Sequence, residues 1–214
     1  MKQLLSVLLA LALLVSPISA ADWKTPKQPT STLAVVEVLD RVVWEGATDA
    51  DMLKQARIDI ERAWGNNQTL SITLISAGGP VITSLEIARL IWVAQQRGQV
   101  IEIRGAGLIA SGATFVLAAA TPGRRFISKW AFFLVHPPQR GGFFSEPSCL
   151  AVTPEPKTVD EKAVNTLLIL MRDMYIEFTK KSQEEVEKWL TCGNEVVGTG
   201  ALAIPMGIAD AVRE

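Results

Sequence analysis

From Leu33 to Val212, runs of aliphatic and β-branched residues alternate with stretches in which apolar positions recur every three or four residues. That pattern predicts strands interleaved with helices. LAVVEVLDRVVWEG, from Leu33 to Gly46, reads as two short strands parted by a turn at Asp40-Arg41. Behind Thr48 or Asp49 as N-cap, Met52, Ala56, Ile60 and Ala63 then fall on one helical stripe. LSITLIS, Leu70 to Ser76, returns to strand chemistry, and a glycine turn leads into a helix from Pro80 to Arg97. That helix is apolar on most faces, so it must be covered on more than one side.

The next strand is VIEIRG, after which GAGLIASGATFVLAAA (Gly105 to Ala120) reads as a helical segment almost free of charge. Its helix proper runs from Ser111 to Ala120 and stops at Pro122-Gly123. RRFISKWAFFLVHPP carries one strand ending at His136. Short strand–helix–strand units need crossover connections, which predicts a largely parallel sheet. Residues 139–158 form a long loop without a clean period. Residues 159–181 then make an amphipathic helix with Ala163, Leu167, Leu170, Met171, Met174 and Phe178 along one stripe. A short helix from Ser182 to Leu190, an irregular TCGNEVVGTG and the closing ALAIPMGIADAV complete a single domain over 33–214.

The N-terminus does not fit this domain. Lys2, an apolar run from Leu4 to Val15 and the small residues Ser19, Ala20 and Ala21 form a secretory signal pattern over residues 1–21, with cleavage after Ala21 or Ala20. A retained anchor is the alternative, although the run is shorter than the roughly 18 residues that a span requires. The expected localisation is therefore exported, periplasmic or secreted. Export also changes the reading of the two cysteines, Cys149 and Cys192, which are expected to pair where disulfides persist. With 21 basic against 22 acidic side chains the net charge is −1, which supplies no field to gather phosphates and argues against nucleic acid as a partner. Neither a metal-ligand cluster nor a phosphate-binding loop is evident, so no cofactor is expected.

Chemistry concentrates in two places. Ser111 opens a helix at a glycine-flanked turn, where it serves either as an N-cap or as a nucleophile beside unpaired backbone N–H groups. The sole histidine, His136, ends the following strand, on the edge where parallel sheets hold their ligands. With those two residues in place, three segments resemble the proteolytic subunit of the Clp protease, within the crotonase-like superfamily. ISAGGPVIT (Ile75 to Thr83) is similar to that family's strand-end glycine turn, with Ala77 in place of its proline. GLIASGATFVLAAA is similar to its nucleophile helix, and FFLVHPP to the strand that delivers its histidine.

The resemblance implies an α/β fold of repeated β-β-α units, with a largely parallel sheet flanked by helices. It implies Ser111 as nucleophile, His136 as general base and the amides of Gly79 and Gly112 as oxyanion hole. The family's third member is an aspartate ahead of the stretch matching Gly207-Ile208-Ala209-Asp210; here Glu195 is the best match and Glu187 the alternative. If neither glutamate arrives, a Ser-His dyad remains. The loop 139–158 is an insertion relative to the family, and the helix 159–181 resembles its handle helix, which mediates subunit contacts.

The expected function is an exported serine peptidase-like hydrolase acting on peptides or unfolded proteins. Outside the cytoplasmic membrane there is no ATP, so no ATPase partner is expected. A homo-oligomer is expected from the apolar stripe of that helix together with Phe143, Phe144 and Trp189. Two alternatives stand beside this: a catalytically weak or inactive assembly or binding protein, and acyl-thioester chemistry, which export disfavours because coenzyme A is cytoplasmic.

Overall fold

The computed structural model describes residues 39–140 and 148–213. The signal pattern, the first strand-like run and Phe143-Phe144 lie outside these residues. In chain order the elements are β1 (Leu39–Ala47), α1 (Ala50–Gly65), β2 (Thr69–Gly78), α2 (Val81–Gln96), β3 (Ile101–Ala110), α3 (Gly112–Ala118), β4 (Arg125–Ile127), β5 (Phe132–Val135), β6 (Gln139–Arg140), β7 (Ser148–Cys149), α4 (Val159–Thr179), α5 (Gln183–Trp189), β8 (Val196–Thr199), a 3₁₀ turn (Gly200–Ala203) and β9 (Ala211–Val212).

The main sheet runs β1-β2-β3-β4-β9, all parallel, as the strand–helix alternation requires. Beyond β4, β5 takes over beside β3, again parallel, and β8 closes on β5 antiparallel. Leu70, Ile72 and Leu74 of β2 and Ile101 and Ile103 of β3 are wholly buried. With Ile60, Ile87, Ile91, Val116 and Leu117 from the helices they form the core. The mixed α/β architecture with a mostly parallel sheet and flanking helices is the expected one.

Four local expectations are corrected. Asp40 and Arg41 do not turn the chain; both lie inside β1, paired with Leu70 and Ser71, and the Asp40 carboxylate is bound by Arg62 at 2.8 Å. Gly105–Ala110 is not helical but continues β3, because Ile109 pairs with Ser76 and Phe133 and is wholly buried in the sheet. The strand predicted before His136 is two strands, β4 and β5, each occupying a different stretch of β3. The buried stripe of α4 is Leu168, Met171, Tyr175 and Thr179, whereas Leu170 is half exposed. The loop 139–158 contains the small hairpin β6–β7, and the irregular stretch before Gly200 contains β8.

Beside the β4–β9 pairing, an ion pair ties in the C-terminal segment. Arg125, at the start of β4, binds both carboxylate oxygens of Asp210 and donates at 2.8 Å to the carbonyls of Phe178 and Gly207. Arg125 N–H also reaches Asp210 at 2.9 Å. Asp210→Ala takes from a mostly buried guanidinium the carboxylate that pairs it, and the expected cost is about 3 kcal/mol of stability, measured by denaturant melts. Partial burial pushes the Asp210 carboxyl up, but the Arg125 side chain, its N–H, its charge and the Gly123 N–H outweigh that and hold it below its ordinary value. A carboxyl lowered by folding contributes its full stability above the unfolded value of about 3.9. That contribution is lost as pH falls through the folded value. The wild type should therefore lose stability more steeply than Asp210→Asn in acid titrations below about pH 4.

Candidate active site

Three loops meet at the C-terminal edge of the sheet. β1 leads into Thr48, β2 into Gly79, and β3 into Ser111. Thr48 N–H donates to the Gly78 carbonyl at 3.0 Å, and its hydroxyl pairs with that of Ser84 at 2.6 Å. Ser84 donates onward to the Pro80 carbonyl at 3.0 Å, so this buried pair fixes the glycine turn from both sides. The approach leaves no room for side chains. A Cβ on Gly78 would lie 2.6 Å from both the Ala110 carbonyl oxygen and the Gly112 nitrogen, and one on Gly112 would overlap Ser84 Oγ. Gly78 also holds φ at 86°, where glycine alone is at ease.

Ser111 occupies the strand-to-helix turn with φ 54° and ψ −126°. A non-glycine residue there carries strain on the order of 1–3 kcal/mol, of the kind that collects at reactive sites. Its position is that of the N-cap of α3, yet its hydroxyl makes no capping hydrogen bond. The capping role is therefore not the one this side chain fills. The amide of Gly112 begins α3, where helix geometry provides no intrahelical acceptor.

The turn is pinned to the neighbouring strand. Ser111 N–H donates to the Leu134 carbonyl at 2.8 Å, and β5 ends one residue before His136. His136 Nδ1 lies 2.6 Å from the Pro137 carbonyl. A carbonyl only accepts, so Nδ1 carries the proton and Nε2 is left as the basic nitrogen. Among the described residues, no hydrogen bond joins Ser111 Oγ to His136.

The two candidate acids separate. β5 and β8 pair Val135 with Val196, so the antiparallel register carried one step further sets Glu195 opposite His136. Glu195 is exposed, and Nδ1 is held by Pro137 instead. Glu187 lies on α5 and binds Gln183 and Arg172, at 2.6 and 3.4 Å. The structure thus brings Ser111, Gly112, Gly79, His136 and Glu195 to one edge and leaves Glu187 out. Cys149 and Cys192 are joined, with Cα atoms 5.9 Å apart.

Reading the sequence missed Thr48 and Ser84 as supports of the glycine turn, and Tyr175 altogether. The hydroxyl of Tyr175 touches Thr114 of α3 at 2.6 Å. A tyrosine four residues beyond Met171 on a buried stripe was the available signal.

The family model described as Clp protease matches residues 61–214, a span that includes Gly79, Ser111, Gly112, His136 and Glu195. Among curated proteins none matches the chain.

Proposed function

The chain belongs to the Clp protease family, and from that premise we propose that it is an exported serine peptidase with Ser111 as its nucleophile. The observation that carries this is the strained turn at Ser111, whose hydroxyl is spared from capping and whose backbone N–H pins the turn beside the strand that leads to His136. Ser111 Oγ attacks the peptide carbonyl while His136 Nε2 takes its proton. The oxyanion that forms is held by the N–H groups of Gly79 and Gly112. His136 returns the proton to the leaving amine, and water, activated by the same nitrogen, releases the acyl group from Ser111. The Pro137 carbonyl keeps the imidazole in the required tautomer, and Glu195 adds negative charge opposite the imidazolium.

Export is supported by the N-terminal pattern and by a disulfide, which persists in oxidising compartments. Substrates are then peptides or already unfolded chains, processed without an ATP-driven partner. Self-association is supported by Val159, Ile169 and Leu170, all exposed on α4.

The test is labelling of the purified protein with a fluorophosphonate probe, in which the Oγ–P bond forms and fluoride leaves. Peptide mapping should find the adduct on Ser111 and none in Ser111→Ala. A protein that stays unlabelled, or labels equally in both forms, returns the reading to a non-catalytic binding protein.

A further inference from the structure

Ser111 holds a costly backbone conformation, and something must keep it there. Its N–H is tied to β5. Its carbonyl accepts twice from one residue, at 3.0 Å from Thr114 N–H and at 2.5 Å from Thr114 Oγ1. We propose that Thr114 and Tyr175 are positioning residues that hold the Ser111 turn through a directed pair of hydroxyl hydrogen bonds.

The direction follows from hydrogen counting. A hydroxyl has one proton, and because the Ser111 carbonyl can only accept, the Thr114 proton is spent there. The 2.6 Å contact between Thr114 Oγ1 and the Tyr175 hydroxyl must then run with tyrosine as donor. The chain of bonds is Tyr175 O–H to Thr114 Oγ1, and Thr114 O–H to Ser111 C=O. Each bond polarises the next, and both lie in the interior, since Thr114 is wholly buried and Tyr175 is 2% exposed. Tyr175 is itself fixed, stacked on Phe115 at 3.9 Å and edge-on to Trp189 at 5.8 Å. Burial raises its phenol far above its ordinary value, so the donor stays protonated wherever the fold is stable. A phenylalanine would serve the stripe of α4 equally well as packing, and among the described residues the hydroxyl's one hydrogen-bond partner is Thr114. The oxygen is therefore directed at the turn and not needed by the core.

The inference rests on the reading of Ser111 as nucleophile, and the experiment separates the two. Thr114→Val keeps the shape and removes the hydroxyl, Thr114→Ser keeps the hydroxyl, and Tyr175→Phe removes only the distal donor and is the mildest for folding. For each, fluorophosphonate acylation is resolved into its maximal rate and its half-saturating concentration, and amide hydrogen exchange of residues 111–118 is followed by mass spectrometry. Thr114→Val should lower the maximal rate about tenfold with half-saturation unchanged. It should also speed exchange across 111–118, Thr114→Ser should restore both, and Tyr175→Phe should fall between. Exchange equal to wild type in Thr114→Val and in Tyr175→Phe overturns the positioning role, whatever the labelling. A wild type that does not label at all sinks the nucleophile reading, while the exchange comparison still decides the role of the two hydroxyls.

Discussion

Replacing His136 by alanine is expected to slow peptide hydrolysis about 10²- to 10⁴-fold, the range that a positioned general base supplies. The fold should survive, because among the described residues the half-buried ring has its one hydrogen bond with the carbonyl of the next residue. In the proposed mechanism Ser111 and His136 act on the same proton, so their losses should not add. A Ser111→Ala, His136→Ala double variant is expected to be no slower than Ser111→Ala alone. The acids give a second contrast in the same assay. Glu195→Gln should cost about tenfold, a smaller loss than that of the base, because the Pro137 carbonyl already holds the tautomer. Glu187→Gln should leave the rate unchanged, since that carboxylate is engaged by Gln183 and Arg172 on the outer face of α5. Equal hydrolysis by wild type and His136→Ala, measured on a chromogenic peptide, would falsify the assignment of the base.

What the sequence reveals is set by how local the deciding contacts are. The cap at Asp49 and the buried stripe of Met52, Ala56, Ile60 and Ala63 rest on spacing within one helix, and the structure has both. The turn at Ser111 is local as well, since Ser111 is adjacent to the glycine that admits close packing. β8 is different. Its four residues have no period of their own and become a strand only by pairing with β5, more than sixty positions earlier. The same holds for Gly105–Ala110, whose glycines and aliphatics suit either state until Ser76 and Phe133 flank Ile109 in the sheet. On α4, Leu167-Met174-Phe178 and Leu168-Met171-Tyr175 are both helical stripes. The choice between them is made by Phe115 and Trp189, which receive the Tyr175 ring. Trp189, expected at the surface, is for that reason half buried against the core.

Reduction of the Cys149–Cys192 bond is expected to destabilise the protein by about 4 kcal/mol, the loop-entropy value for a span of this length. For a chain of this size that corresponds to a fall in melting temperature on the order of 10 °C. The bond joins β7 to the turn just before Glu195, so it ties the loop that carries β7 to the strand that faces His136. Its effect on chemistry should nevertheless be small well below the melt. Ser111 is held through Leu134 and Thr114, and His136 through Pro137, and none of these contacts passes through the disulfide. Calorimetric melts with and without reductant, beside a Cys149→Ser, Cys192→Ser double variant that reductant cannot shift, measure the stability term. Ser111 labelling at 25 °C in the same samples measures the chemical one, and it should stay within a few-fold. A large loss of labelling in folded, reduced protein would mean that Glu195 and its strand orient the base more strongly than the Pro137 carbonyl does.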